Sequence, residues 1–185
     1  MRTSVVLILC LLTLPSDSVS AEPVESFFDF NHIKQSLAYL KQPSAEKLQR
    51  ISATAAAMHL KNHADHTGYF PKSSSPLQIT EQIVGRAEKS AAEIVAIEKL
   101  AVQIESDLAG QQGCVEEVSK YLPEDFSFEG NLFFTFGYDI GVAMGKDASL
   151  NLAHPHFLKL PEEVWYYFQE LHHVGFQSIF RFSLG

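Results

Sequence analysis

The sequence predicts an α+β fold, and three observations carry that reading. Apolar residues recur at three- and four-residue spacing through 22–122, the mark of amphipathic helices. After Pro123 the texture changes to short, aromatic, β-prone runs punctuated by glycine. A last helical pattern then opens at Pro161. The expected architecture is a helical N-terminal part over 22–122, then, over 123–185, a β-hairpin or small antiparallel sheet followed by a motif-bearing closing helix. One domain is expected to span 22–185.

Met1–Ala21 stand apart from that domain. Arg2 gives a positive start, Val5–Leu14 an apolar run, and Val19-Ser20-Ala21 a small-residue cleavage site, which together read as a secretory signal peptide cut before Glu22. Cys10 lies inside the apolar run, with Leu11, Leu12 and Leu14 still to follow, which favours plain secretion over a lipid-anchored cysteine. No stretch approaches the roughly 20 apolar residues that a membrane helix needs. The mature protein is therefore expected to be soluble, to lack a membrane span, and to be secreted or periplasmic. Its net charge of −8 is unchanged by cleavage, since Arg2 and Asp17 cancel. That acidity argues against nucleic acid or an anionic membrane as partner, because both reward basic patches. Only Cys114 remains after cleavage, so stability must come from packing and not from an intrachain disulfide.

Three helices are predicted in the first part. One covers Asn31–Lys41, with Ile33, Leu37 and Leu40 on one side. A second follows Pro43-Ser44, carries Leu48, Ile51, Ala55 and Met58, and stops at Gly68. Tyr69–Ser75 form a loop. The third opens at Ser75-Pro76-Leu77-Gln78, where Ser can cap, Pro fits the first turn and Gln can close a capping box. Its stripe of Ile83, Ala87, Ala91, Ile94, Ala101, Ile104 and Leu108 runs to Gly110.

Strand character begins at Leu132–Tyr138, where Leu132, Phe134, Phe136 and Tyr138 would share one face. Gly141–Met144 continue it, Gly145-Lys146-Asp147 read as a turn, and Ser149–Ala153 as the return strand of a hairpin. Pro161-Glu162-Glu163 place proline and two carboxylates where a helix start favours them. The helix then runs through Trp165, Phe168, Gln169, His172 and His173. Trp165, Tyr166, Tyr167, Phe168, Phe176, Phe180 and Phe182 read as packing residues, because aromatic rings bury large areas.

That helix holds the one chemically suggestive frame, Gln169-Glu170-Leu171-His172-His173, or QExxH. In the related HExxH motif, two His one helical turn apart reach one zinc, and the intervening Glu acts as general base on metal-bound water. The run LFFTFGYDIGVAMGKDASLNLAHPHF followed by YYFQELHHVGF resembles a zincin-type metallopeptidase domain, in particular putative zinc-dependent peptidases whose helix reads HELHHxGF. The resemblance covers roughly 131–176. It implies zinc as cofactor, Glu170 as catalytic base, His173 as a ligand, Gln169 at the first-ligand position, and a peptide or protein substrate laid along a preceding strand. A third ligand on a later segment is also implied, yet Leu171–Gly185 contain no Asp or Glu, so the chain reads as lacking the C-terminal part of such a domain. His172 is a further candidate ligand, although neighbouring helical residues diverge by about 100° and cannot both face one ion. The alternative is a non-catalytic pseudo-peptidase that keeps the scaffold and binds peptides, a reading that Gln169 favours.

Other histidines are candidates of lesser weight. His59, His63 and His66 fall at i, i+4 and i+7, which suits either a metal-binding face or a solvated helical face near a C-terminus. His154 and His156 alternate ahead of the motif helix and could supplement the ligands or orient substrate. His32 has no partner by spacing, and Cys114 has no basic neighbour in sequence to activate it.

Overall fold

The computed structural model describes residues 28–120 and 130–171; the signal-peptide reading of Met1–Ala21 lies outside them. Its elements are mixed α and β, with helices packed on a four-stranded sheet. Among the described residues no helix is long and apolar enough to cross a membrane.

The first predicted helix has its predicted bounds, Asn31–Lys41 (α1), and buries Ile33 and Leu37. The second is broken in two, α2 (Ala45–Ser52) and α3 (Ala55–Thr67). The buried Thr54 makes the break. Its hydroxyl donates to the Ile51 carbonyl at 2.7 Å and accepts from the Ala57 amide at 3.2 Å, so one side chain closes α2 and caps α3. The restart rotates the buried face. Met58, expected on the stripe, is 45% exposed, while Ala56, Ala57, Leu60 and Ala64 are buried. Gly68, at φ +71°, ends α3 in the left-handed conformation that glycine adopts freely. Thr54→Val keeps the shape and removes both bonds. It should lower the unfolding free energy by about 1–2 kcal/mol in urea titration.

The third predicted helix becomes three. Ser75 and Gln78 form the expected capping box, with bonds of 2.7 and 3.2 Å, at the head of α4 (Pro76–Thr80). A π turn, Glu81–Gly85, follows. A second capping box, Ser90 with Glu93, then opens α5 (Ala91–Ser106). Hydrogen bonds from the Ser90 amide and hydroxyl hold the Glu93 carboxyl down to about 2. Asp107 interrupts the stripe again by accepting from the Gly110 amide at 2.9 Å, which starts α6 (Leu108–Ser119). Gly110 therefore lies inside a helix instead of ending one, and Leu108 is exposed.

The sheet comprises β1 (Phe28–Asp29), β2 (Leu132–Thr135), β3 (Gly141–Met144) and β4 (Asp147–Asn151), in the order β1-β2-β4-β3. β3 and β4 form the predicted hairpin, antiparallel, with Gly145 at φ +62° opening its two-residue turn. The sheet as a whole is mixed, not antiparallel, because β2 pairs in parallel with both β1 and β4. The chain leaves β2 at Thr135 and crosses the end of β4, where the Asn151 side chain donates to the Gly137 carbonyl at 3.0 Å. It then enters β3 beyond β4, so the return strand fills the middle of the sheet.

Leu132, Phe134, Ala148 and Leu150 face the main core, joined by Ile33, Ile97, Phe157 and Phe168. Phe136 joins them as expected, whereas Tyr138 turns away to α3. The other face carries Phe133, which packs on His59 of α3 with ring centroids 5.4 Å apart. Beyond β4, His154 caps the short α7 (Pro155–Lys159) by accepting from the His156 amide at 3.2 Å. A 3₁₀ turn at Pro161–Glu163 leads into a helix over 164–171, α8.

Candidate functional site

The site is positioned by α8. Val164 and Phe168 are fully buried one turn apart, and the Phe168 ring meets Phe134 edge-on at 4.9 Å. Trp165 reaches the α5–α6 corner, where its indole N–H donates to the Asp107 carboxylate at 2.7 Å. Leu171 packs against the start of β3: a Cβ at Gly141 would lie 2.6 Å from a Leu171 methyl and 2.8 Å from a Leu150 methyl. With 164, 168 and 171 turned inward, helical spacing leaves Gln169 half-buried and Glu170 exposed. His172 and His173 lie outside the described residues, as do Phe176, Phe180 and Phe182.

Among the described residues β3 is the last strand of the sheet. The Ile140 carbonyl accepts from the Asn151 amide at 3.0 Å, which fixes the alternation of the ladder. Residues 140, 142 and 144 therefore turn toward β4. The N–H and C=O groups of Gly141 and Ala143 point outward. α8 reaches one end of this row through Leu171, and α3 covers the adjoining sheet face, where His59 Nε2 donates to the Val142 carbonyl at 3.4 Å. Among the described residues the edge is thus a short, flanked strand whose outward backbone groups have no strand partner.

The donor set can be tested against zinc at Gln169. A neutral carboxamide oxygen is a poor substitute for imidazole on this borderline-soft metal, so Gln169 does not fit the first-ligand position. Among the described residues no three His, Cys, Asp or Glu side chains converge as a metal would require.

The α3 histidines go to different neighbours. His59 is buried against Phe133 and β3, and burial lowers its pKa. His63 Nδ1 bonds the Tyr138 hydroxyl at 2.7 Å, and burial lowers its pKa too. The same hydroxyl donates to the Leu60 carbonyl at 3.3 Å, and burial raises the Tyr138 pKa. His66 is exposed at the end of the face. His154 caps α7, while His156 Nε2 pairs with Glu163 at 2.6 Å and packs on Tyr167. His32 is buried under β2, where its Nδ1 accepts the Phe136 amide at 3.3 Å. Burial pushes the Cys114 thiol up to about 12, leaving it a packing residue and not a nucleophile.

The sequence reading missed the surroundings of the β3 edge. Tyr138 lies tilted against Tyr69 with ring centroids 4.3 Å apart and meets Phe70 edge-on at 5.3 Å, tying the loop after α3 to the entrance of β3. Lys72 in that loop lines one pocket together with Met144 at the far end of the strand. Aromatic clustering in Tyr69-Phe70 was the available signal for the first; nothing in the local sequence marks Lys72.

No family model matches this chain, and no curated protein or solved structure compared with it is significantly similar.

Proposed function

We propose that the chain is a secreted, zinc-metallopeptidase-like protein that holds an extended peptide along the outer edge of β3. The observation that carries this reading is the docking of Leu171 on Gly141, which brings the Gln169-Glu170 helix to the head of a strand edge that is unpaired among the described residues. An edge of this kind gains a partner by main-chain hydrogen bonds, with side-chain pockets adding selectivity. The QExxH frame and its resemblance to peptidase helices support the same reading. Of the two forms it can take, hydrolytic or purely peptide-holding, Gln169 favours the second, since a carboxamide stands where the metal would need imidazole.

Two measurements test it. Ala143→Pro removes an outward N–H, a change that an edge strand tolerates. It should weaken a fluorescent extended peptide at least tenfold by anisotropy while leaving circular dichroism intact. Equal binding would refute the edge. For the chemistry, purified protein should lack stoichiometric zinc and leave peptides uncut. Chelator-sensitive cleavage that disappears in Glu170→Gln would establish the hydrolytic form instead.

A further inference from the structure

At the far end of β3 from α8, Met144 borders an open pocket of about 400 Å³ between the strand end, α3 and the following loop. Its other lining residues are Asn62, Asp65, His66 and Lys72. Asp65 is already neutralised by its ion pair with Lys61 on the same helix. Among the described residues, Asn62, His66 and Lys72 have no hydrogen-bond or ion-pair partner. Its described lining therefore offers an ammonium, an imidazole and a carboxamide, with the Asp65 carboxylate engaged. Donors grouped in this way suit an anion with two acceptor oxygens.

We infer that this pocket takes the terminal carboxylate of a short peptide lying on β3. The inference rests on the peptide-holding reading above and adds a substrate class to it. Charge selects the direction of the peptide: an N-terminal ammonium at Met144 would face Lys72, whereas a C-terminal carboxylate would pair with it. The peptide then runs parallel to β3. Strand rise sets its length, because Gly141 to Met144 spans about 10 Å at about 3.3 Å per residue. Three or four residues therefore fill the edge between α8 and the pocket. Ligands longer than this must end at the pocket and extend past α8.

The test uses a labelled apolar tetrapeptide in three forms: free acid, C-terminal amide, and amide with Asp as its last residue. By anisotropy the free acid should bind at least tenfold more tightly than the plain amide. Lys72→Met should erase that advantage, and His66→Gln should reduce it. Both residues are at the surface, so both variants should fold. Equal affinities for acid and amide would overturn the inference. So would an Asp-ended amide that binds as tightly as the free acid, since the pocket would then read a side chain. Ala143→Pro separates the two claims: weakening all three forms alike supports the strand edge. Loss of the acid preference in Lys72→Met reports on the pocket alone.

Discussion

Gly110→Ala should destabilise the protein by about 2–4 kcal/mol, although alanine is the better helix former. In an open helix the substitution gains about 0.5–1 kcal/mol. At Gly110 the added methyl would overlap the Trp165 indole nitrogen and the Asp107 carboxylate, and would lie 2.7 Å from the indole Cε2. Neither neighbour can give way cheaply. Asp107 caps α6 and accepts the Trp165 N–H at once, and the indole packs edge-on against Phe28 and Phe134. Overpacking costs of about 1–3 kcal/mol and a charged hydrogen bond worth about 1.5–3 kcal/mol together outweigh the gain in propensity. Gly113 supplies the control: it sits on the same helix, and a Cβ there meets nothing within 4 Å. Gly113→Ala should therefore stabilise, by about 0.5–1 kcal/mol. Trp165 is the chain's single tryptophan, so its emission follows the displacement directly. Because Trp165 anchors α8, peptide affinity at β3 should fall with it. Alanine effects of the same sign at both glycines would show that α8 is not docked through this contact.

What could be read from the sequence depended on whether a signal was local. α1 emerged with its bounds because its stripe is uninterrupted, and the Ser75–Gln78 box, Gly68 and Gly145 each act through their own neighbours. Thr54, Ser90 and Asp107 escaped notice because the apolar spacing runs straight through them. One polar side chain that satisfies freed backbone groups overrides a continuous stripe. The hairpin was visible in its glycine turn, but the parallel pairing of β2 with β4 was not, since parallel and antiparallel strands share one side-chain period. The candidate site divides in the same way. Gln169 and Glu170 stand out by spacing alone, whereas the contact that gives them a setting, Leu171 on Gly141, joins residues 30 positions apart. Lys72 gains meaning only from the pocket that folding builds around it.

Acidification should weaken the fold well before most carboxylates protonate, and His32 is the main reason. Its ring is 2% exposed, its Nδ1 accepts the Phe136 amide, and burial lowers its pKa from 6.5 to about 4. The folded state thus keeps His32 neutral while the unfolded chain takes up a proton near pH 6.5. Stability is complete above that value and is lost as pH falls toward 4. Between pH 7.5 and 4.5 this one group should remove on the order of 2–3 kcal/mol. His59 and His63 shift in the same direction and add to the slope. His32→Asn retains an acceptor near the Nδ1 position but cannot titrate. It will be less stable at neutral pH, because a smaller side chain leaves space beneath β2. Its urea midpoint should nevertheless change far less with pH, so that the two proteins converge at pH 4.5. Parallel pH profiles for the two would mean that His32 does not carry the acid sensitivity, leaving His59 and His63 of α3 as the remaining histidines shifted the same way. The same acid window would then report on the packing of α3 against the β3 edge, the surface on which the peptide is proposed to lie.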